Sequence, residues 1–270
     1  MRYHIFESGS KGNATIICSS HGNILIDNGL SKKTLVLKLS EVGLTLDDIS
    51  AVLITHGHDD HIKGFRPKGI SYTKFYCSKE TFSEIKRKNG YPDAITLSSD
   101  KELLPYQKKI ISGFEVEVIP TSHDIRGSFG FIIKDDNEVM VYITDTGFIY
   151  EKVLIQIQNA DYYIFESNHD IRMLLQTNRP QSLKDRILGD KGHLSNEDAS
   201  MYLSEVIGPK TKEITLAHLS EEANTPEKAL DAFLRIMEKR SISLENIIFK
   251  CASQHNTVSG GILNKEYLNA

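Results

Sequence analysis

Thr55-His56-Gly57-His58-Asp59-Asp60-His61 is the stretch of sequence that decides the fold of this chain. It has the pattern H-x-H-x-D-H and follows the apolar run at 51–54, which is typical of a short buried strand. Imidazole nitrogens and carboxylate oxygens are the ligands that a divalent ion such as zinc prefers. The alternating spacing puts the first two histidines on one side of an extended chain, and a turn or helix start brings Asp60 and the last histidine round to a second ion. The stretch therefore predicts two metal ions at a strand end.

Three more candidate ligands stand at the ends of later strand-like runs. His123 follows the run at 116–120, Asp145 follows the run at 138–144, and His218 follows the run at 213–217. A histidine-rich surface loop is the alternative interpretation of the first stretch. The strand context and the downstream residues of matching type argue against that alternative.

The order of these motifs resembles that of the metallo-β-lactamase superfamily, and the resemblance covers most of the chain. It implies an α/β fold, the αββα sandwich, with two mixed β-sheets packed face to face and helices on the outside. The strand and helix patterns along the chain favour the same arrangement in a single domain, residues 1–270. The resemblance assigns the first ion to His56, His58 and His123, the second ion to Asp60, His61 and His218, and a bridging position to Asp145.

The composition is that of a folded domain, with 40% hydrophobic and 25% charged residues in a chain of 270. No apolar run approaches the roughly 20 residues of a membrane span, and the first residues lack the apolar region of a signal peptide. The three cysteines are far apart and odd in number, which argues against a disulfide framework and for a reducing compartment. We therefore expect a cytoplasmic protein with no membrane partner, and the sequence indicates no obligate protein partner.

The net charge of −4 does not by itself indicate a nucleic-acid-binding protein, but the positive charges are unevenly distributed. Two stretches that flank candidate ligands, 63–91 and 171–192, are rich in lysine and arginine. Solvated helix faces would explain either stretch alone, whereas the two together favour a substrate that carries phosphate groups. The basic residues are Lys63, Arg66, Lys68, Lys74, Lys79, Lys86, Arg87 and Lys88 in the first stretch and Arg172, Arg179, Lys184, Arg186 and Lys191 in the second.

A paired metal site of this composition is suited to hydrolysis. A bound divalent ion lowers the pKa of water from about 16 to about 7, which supplies hydroxide at neutral pH. Two ions about 3.5–4 Å apart can also hold both non-bridging oxygens of a phosphoryl group. We therefore predict a hydrolase with two divalent ions, zinc and/or manganese, a metal-bridging hydroxide as nucleophile, and Asp60 among the catalytic residues.

Two further histidines bear on the reaction. His193 precedes a helix pattern in the motif at 191–196, which resembles the nuclease branches of the superfamily. That resemblance implies that His193 donates a proton to the leaving alkoxide. A sugar alkoxide needs this proton because it is a poor leaving group. A helix-capping or buried structural role is the alternative for His193. His169, in the motif at 166–170, is interpreted as a catalytic-site residue that either contacts substrate or supports the residues around the metals, without an assigned step.

Several polar residues near these motifs are candidate substrate contacts. The loop at 8–13 is either an ordinary hairpin turn or a set of small polar groups at the mouth of the site, and both interpretations stay open. Asp27 is interpreted as a structural residue that binds turn amides. The candidate substrate-binding residues are Ser10, Asn13, Asn168, Lys184 and Arg186.

One subfamily shows a closer resemblance, that of the bacterial YycJ/WalJ-type proteins. The resemblance implies a cytoplasmic enzyme that degrades double-stranded DNA in the 5′→3′ direction. Gly189 is a departure from the family pattern, which has serine there. The motifs that carry the resemblance lie at 8–13, 166–170, 183–188, 192–196 and 218–227.

Two other functions remain open from the sequence. A small-molecule hydrolase acting on thioesters or lactones would use the same dinuclear site, but it would depend less on a proton donor. A catalytically silent binding protein on this fold would be expected to have lost ligands, and all seven candidate ligands are present. The sequence therefore favours a metal-dependent phosphodiesterase that acts on nucleic acid.

Overall fold

Two β-sheets lie at the centre of the computed structural model, which describes residues 1–67, 69–136 and 138–261. Within these ranges, one sheet has six strands and the other has seven. In chain order the strands are β1 (Arg2–Glu7), β2 (Ala14–Cys18), β3 (Asn23–Ile26), β4 (Ile49–Leu53), β5 (Phe75–Tyr76), β6 (Lys108–Ile111), β7 (Phe114–Pro120), β8 (Phe129–Asp135), β9 (Glu138–Ile143), β10 (Tyr162–Glu166), β11 (Glu213–Ala217), β12 (Ile248–Cys251) and β13 (Val258–Gly261).

Both sheets are mixed, as the sequence predicted. The first sheet has the strand order β13-β1-β2-β3-β4-β5, and the second has the order β12-β11-β10-β9-β8-β7-β6. Strands β3, β4 and β5 are parallel to one another, and so are β9, β10, β11 and β12. The remaining neighbours pair antiparallel. Parallel neighbours bring their carboxyl ends to the same edge of a sheet, which is the edge where the candidate ligands follow the strands.

Alternation of side chains along the strands builds the hydrophobic core. In β9, Met140 and Tyr142 belong to the layer between the two sheets, where they share a buried cluster with Tyr3 of the first sheet. Val141 and Ile143 of the same strand point to the opposite face and belong to a second cluster. Because side chains in a strand alternate between faces, a continuous apolar strand is expected when both faces are covered. The two sheets therefore pack face to face, and each is covered again on its outer side.

Helices cover the outer faces. In the described residues they are α1 (Lys32–Glu41), α2 (Asp59–Ile62), α3 (Lys79–Asn89), α4 (Glu151–Gln156), α5 (Ile171–Gln176), α6 (Gln181–Leu188), α7 (Asn196–Val206) and α8 (Pro226–Lys239). Leu35 of α1 and Phe82 of α3 pack on the first sheet. Val153 of α4, Leu203 of α7 and Phe233 of α8 pack on the second sheet. This arrangement confirms the predicted αββα sandwich.

Side-chain caps stabilise the starts of five described helices, α1, α3, α5, α7 and α8. Ser31, Ser195 and Thr225 each accept a hydrogen bond from the backbone amide three residues further along, at the starts of α1, α7 and α8. Such a cap contributes about 1 kcal/mol because it satisfies an amide that has no partner in the first helical turn. Pro226 occupies the first turn of α8, where its missing N–H costs nothing. Serine and threonine are among the residue types preferred at this position, so local sequence at 31, 195 and 225 is consistent with these helix starts.

Two strands were not expected from the sequence. Strand β6 contains two lysines and, among the described residues, pairs only with β7 at the edge of its sheet. Strand β13 is Val-Ser-Gly-Gly, which has no strand periodicity. Both form because a neighbouring strand offers an unpaired edge, which local sequence does not reveal. The sequence Asp-Asp-Asn at 135–137 is typical of a hairpin turn, but Asn137 lies outside the described residues, as do Lys68 and residues 262–270. The single domain over 1–270 therefore stays a prediction. None of the described helices has an apolar stretch long enough to cross a bilayer.

Candidate metal centre

The candidate ligands meet at one edge of the sandwich, where strands from both sheets end. The first sheet supplies them from the segment after β4, which continues into the short helix α2. The second sheet supplies them after β7, β9 and β11. The sequence placed seven candidate ligands at strand ends, and the structure brings all of them into overlapping groups: His56, His58, Asp60, His61, His123, Asp145 and His218.

Three imidazoles form the first group. His58 Nδ1 lies 3.0 Å from His56 Nε2 and 3.2 Å from His123 Nε2. Ligands held about 2.0–2.1 Å from one zinc ion in a tetrahedron are about 3.3 Å apart, so these separations match a shared ion. His58 therefore presents its Nδ1 to the group, whereas its neighbours present Nε2.

The second group combines carboxylates with imidazoles. His61 Nε2 lies 3.4 Å from Asp60 Oδ2, and His218 Nε2 lies 4.0 Å from the same oxygen. Asp145 stands between the two groups, because its oxygens lie 3.4 Å from His61 Nε2, 3.5 Å from His218 Nε2 and 3.9 Å from His123 Nε2. The predicted bridging position of Asp145 is thus compatible with its contacts.

Two buried atoms in this cluster show that the donor set fits a cation. Asp145 Oδ2 and His218 Nε2 have no hydrogen-bond partner among the described residues. Both residues are only 2% exposed. Buried polar atoms in folded proteins almost always have a partner, so a carboxylate oxygen and an imidazole nitrogen of the same cluster that both lack one call for a bound positive charge. The cluster has the composition of a divalent-metal site.

Backbone strain marks the same positions. Asp27, Asp145 and His218 adopt left-handed backbone conformations with φ of 58°, 57° and 57°. Each follows the end of a strand, β3, β9 and β11 respectively. Residues other than glycine seldom occupy this region, and the cost of about 1 kcal/mol is tolerated where the surrounding structure needs the side chain in one direction. Three of the nine described non-glycine residues in this conformation therefore belong to the cluster or to its immediate support.

In three candidate ligand histidines, the ring nitrogen that faces away from the cluster contacts a carboxylate. His61 Nδ1 lies 2.8 Å from Asp27 Oδ2, and His58 Nε2 lies 3.4 Å from Asp124 Oδ1. Asp27 was interpreted as a structural residue for turn amides. It does accept the Thr55 amide, but it also contacts His61, so it orients a candidate ligand as well. A carboxylate behind a metal-binding histidine fixes the tautomer and makes the ring a better ligand.

Glu166 is the carboxylate that orients His218, and it also connects His218 to His193. Its Oε1 accepts hydrogen bonds of 2.9 Å from the Nδ1 atoms of both histidines. The same carboxylate accepts the backbone amides of Asp145, Thr146 and Leu194. Sequence reasoning did not assign Glu166 a role. The signal that could have found it is its position at the end of β10, between the strands that deliver Asp145 and His218.

The electrostatics of the two groups differ. Burial and the neighbouring imidazoles lower the pKa of His56 well below its usual value. Burial would also lower the pKa of His218, but Asp145 and Glu166 outweigh it and raise that pKa to about 9. The pKa of His61 is raised in the same way by Asp145 and nearby aspartates, against the effect of burial. The negative field that would hold a proton on these rings is also the field that attracts a cation.

An open cleft gives access to the cluster. Ser10, Lys88, Arg186 and His193 line it together with the ligands. The Arg186 guanidinium pairs with Asp124, and the Lys88 ammonium is bound to Gly57 O and Asp59 Oδ1 at 2.9 Å each. Two of the candidate substrate contacts, Ser10 and Arg186, therefore lie at the mouth of the site.

Other predicted site residues lie behind the ligands or away from them. Asn13 is 1% exposed and its amide nitrogen lies 3.1 Å from Asp60 Oδ2, while Asn168 donates to His218 O. Lys184 donates to Leu175 O at 2.7 Å and does not line the cleft, so its placement does not support substrate contact. His169 is 1% exposed, and neither ring nitrogen has a hydrogen-bond partner among the described residues. Burial lowers its pKa to about 4, so the ring is neutral at pH 7.

Two mixed sheets with outer helices and a histidine–aspartate cluster at one edge define a protein of the metallo-β-lactamase type. Residues 22–218 match the family described as "Beta-lactamase superfamily domain". Among solved structures, the metallo-β-lactamase fold protein YhfI from Bacillus subtilis is similar to this chain with a TM-score of 0.65 at 16% sequence identity. That similarity covers 96% of this chain and 99% of YhfI, and it concerns the fold.

Sequence relatives identify the family more narrowly. The chain is 32% identical over 250 residues to "Exodeoxyribonuclease YycJ" of Bacillus anthracis. The matched region covers 90% of this chain and 92% of that protein. It is 36% identical over 231 residues to "Exodeoxyribonuclease WalJ" of Streptococcus pneumoniae, with 84% and 85% covered. The chain belongs to the β-lactamase superfamily and, within it, to the YycJ/WalJ family. The predicted resemblance is thus confirmed.

Proposed function

We propose that this protein is a metal-dependent exonuclease that hydrolyses phosphodiester bonds of DNA. The observation that carries the proposal is similarity over most of the chain to two relatives that bear the name exodeoxyribonuclease. The complete set of histidine and aspartate ligands in this chain supports it, because a hydrolase of this fold depends on them. The finer proposal is that the substrate is double-stranded DNA and that degradation runs from 5′ to 3′.

The residues suggest how two metal ions would be held. His56, His58 and His123 would hold one ion, and Asp60, His61 and His218 the other, with Asp145 shared between them. An imidazole-rich group favours zinc, and a group with more carboxylate accepts manganese. When bound, such ions polarise phosphoryl oxygens and make water a nucleophile at neutral pH.

His193 is the residue that we propose as proton donor to the leaving oxygen of the sugar. Because a carboxylate only accepts, the hydrogen bond to Glu166 requires the proton on His193 Nδ1. The ring lies in the cleft with its side chain 19% exposed, so Nε2 is the nitrogen left for substrate. The carbonyl oxygen of His169 accepts the amide of Asn196, and we propose that His169 helps to position the segment that carries His193 without touching substrate.

The substrate contacts that we propose are Ser10 and Arg186 at the cleft, with Asn13 and Asn168 supporting the ligands behind them. Arg186 keeps guanidinium nitrogens available beyond the one that meets Asp124, and guanidinium groups bind phosphate well. We also propose a cytoplasmic location, for which the three cysteines, free of disulfide bonds, give support.

Cleavage of labelled DNA tests the proposal. Double-stranded DNA labelled at the 5′ end is incubated with the wild-type protein and with Asp60→Ala, in manganese or zinc. We expect cleavage by the wild type, loss of at least 100-fold in rate for Asp60→Ala, and release of the labelled nucleotide among the first products. Asp59→Ala is the matched control, because Asp59 is adjacent in sequence but pairs with Lys88 at the surface. Equal cleavage by the wild type and by Asp60→Ala would point to a contaminating nuclease.

Failure with DNA has a defined meaning as well. If the wild type binds metal but cleaves neither double- nor single-stranded DNA, the exonuclease proposal is wrong. Thioesters and lactones would then be the substrates to assay, since they suit the same cluster without needing a strong proton donor.

A leaving-group experiment tests His193. We expect His193→Ala to slow hydrolysis of DNA by about 100-fold or more but to leave hydrolysis of bis-nitrophenyl phosphate nearly unchanged, because nitrophenolate leaves without a proton. His4→Ala, a histidine on β1 that bonds Ser259, is the control. Equal losses on both substrates would instead assign His193 to binding or to the fold.

A further inference from the structure

A second cluster of candidate metal ligands lies away from the catalytic edge. His21 stands on the turn between β2 and β3, Asp135 ends β8, and Asp136 follows in the β8–β9 hairpin. One ligand atom from each of the three side chains lies within 4.8 Å of the others. The imidazole comes from the first sheet and the carboxylates come from the second.

The distances in this cluster suit a shared ion better than direct hydrogen bonds. His21 Nε2 lies 3.5 Å from Asp136 Oδ1 and 3.6 Å from Asp135 Oδ1. A good N–H···O bond has a length of about 2.9–3.0 Å, so neither carboxylate is well bonded to the ring. Two ligands that each lie about 2.0–2.2 Å from a zinc ion in a tetrahedron are about 3.3–3.6 Å apart. Both carboxylates converge on the same nitrogen at this spacing.

Asp135 supplies an independent indication that something binds here. The residue is 7% exposed, and its Oδ1 is buried without a hydrogen-bond partner among the described residues. A carboxylate oxygen that has lost water without gaining a donor is costly, and a cation is the partner that it lacks. The same oxygen is the one directed towards His21.

The backbone holds the three groups in place. A Cβ on Gly113 would lie 2.5 Å from the Cβ of His21, so the glycine lets the imidazole side chain rest against the β6–β7 turn. The amide of His21 donates to Ser19 Oγ. Asp136 occupies the left-handed region with φ of 49°, which turns its carboxylate towards the ring at the cost of some strain. The ligands are thus arranged by surrounding structure and not only by their mutual attraction.

The cluster lies at the opposite end of β8 from the catalytic edge. The first residue of that strand, Phe129, donates its amide to Thr55 O beside the ligands, whereas Asp135 is its last residue. Seven residues of strand span about 20 Å, so an ion here would be too distant to take part in hydrolysis. It would join the two sheets at the end where they carry no catalytic ligands.

We propose that His21, Asp135 and Asp136 form a structural site for a divalent transition-metal ion that fastens the two sheets together. Imidazole with carboxylates suits zinc, and the exposure of His21 and Asp136 leaves room for water to complete the coordination. This site is separate from the proposed function and needs no catalysis for its action.

Counting bound ions tests the proposal. The wild type, His21→Gln and Asp135→Asn are dialysed to equilibrium against the same free zinc concentration, and zinc per chain is measured by elemental analysis. We expect the wild type to bind one more ion per chain than either variant, while DNA cleavage is unchanged in all three. His4→Gln is the matched control and is expected to bind as much zinc as the wild type.

A second measurement locates the ion in the wild type and does not depend on how the variants fold. Added manganese is expected to broaden the NMR signals of backbone amides at 20–23 and 133–136, in addition to those at the catalytic edge. Equal zinc content in wild type and variants, or broadening confined to the catalytic edge, would overturn the proposal. His21 and the two aspartates would then form a group of ion pairs that binds no metal.

Discussion

A single carboxylate connects the metal ligands to the proposed proton donor. Glu166 is completely buried, and burial alone would raise its pKa. Its hydrogen bonds and charge interactions with His193 and His218 outweigh burial and hold the pKa below the usual range. Three backbone amides also donate to this carboxylate. Each oxygen accepts more than one donor, so the carboxylate can neither rotate nor take up a proton without breaking a bond. The ring orientations of both histidines therefore depend on one residue.

Replacing this carboxylate tests that dependence. In Glu166→Gln, an amide nitrogen replaces one acceptor, so a donor of the surrounding backbone or of a histidine loses its partner. We expect metal affinity or DNA cleavage to fall about 10–100-fold, as is usual when the partner of a ligand histidine is removed. Zinc titration and cleavage rates measure the two effects.

The matched control for this variant is Glu117→Gln. Glu117 is also buried, at 5% exposure, but lies on β7 and bonds Gln156 and Lys108. Normal affinity and cleavage in Glu166→Gln would show that the backbone alone orients His193 and His218.

Close contact between short elements positions the second group of ligands. The loop after β3 lies against α2, where the amide of Asn28 donates to His61 O, and the amide of Asn13 donates to Asp60 O at 2.8 Å. Gly29 lies so close that a Cβ on it would be 1.6 Å from Asp60 O. A side chain at this position would have to displace the helix that carries two ligands.

Gly29→Ala is therefore expected to disrupt both the fold and the metal centre. We expect a loss of about 3 kcal/mol in the free energy of unfolding, at the upper end of the usual range for overpacking, together with weaker metal binding. Gly43→Ala is the control, since Gly43 has a φ of +74° but no atom within 4 Å of its added Cβ. It should cost about 1 kcal/mol through backbone strain alone and leave metal binding unchanged. Equal metal affinity in the two variants would contradict the expectation.

For the whole molecule, the charge distribution predicts how DNA binding responds to salt. The net charge is −4, so attraction to DNA must come from cations near the cleft. Arg186 has a side chain 55% exposed at the cleft, and Arg235, 57% exposed, pairs with Glu197 elsewhere. In the Asp60→Ala background, we expect Arg186→Ala to reduce the slope of log affinity against log salt by about 0.9, the value for one lost phosphate contact. Arg235→Ala should not change it, and equal slopes for both variants would exclude phosphate binding by Arg186.

The stability of the metal-free protein should depend on pH through His169. Burial lowers the pKa of His169 to about 4 in the folded state, whereas the usual value is 6.5. Between these values the unfolded chain binds a proton that the folded protein does not. The contribution of the neutral ring is therefore present above pH 6.5 and is lost as the pH falls to about 4, up to about 3 kcal/mol.

Denaturant unfolding in EDTA at pH 7, 5.5 and 4 measures this effect. His169→Leu should lose less stability than the wild type over that range, and the exposed His255→Leu should behave like the wild type. Parallel loss in wild type and His169→Leu would mean that the buried ring becomes protonated without cost.

Some features of the molecule follow from local sequence alone. The seven candidate ligands could be found because each is a histidine or aspartate in the H-x-H-x-D-H stretch or at the end of an apolar run. The layers of the sandwich could be predicted because a strand covered on both faces is apolar at every position, as 51–54 is. The starts of α1, α7 and α8 could be predicted because a cap bonds an amide only three residues away.

Only the tertiary structure decided which residues orient the ligands and which edges form strands. Asp27, Asp124 and Glu166 reach their histidines across 34, 66 and 52 residues of chain, counting from Asp27 to His61, from Asp124 back to His58 and from Glu166 to His218. Such contacts depend on the order of the strands in the sheets, and that order cannot be predicted from the residues adjacent in sequence. The same reason accounts for β6 and β13, which form because β7 and β1 offer them an unpaired edge. It also accounts for Lys184, whose ammonium group donates to Leu175 O and so does not face the cleft.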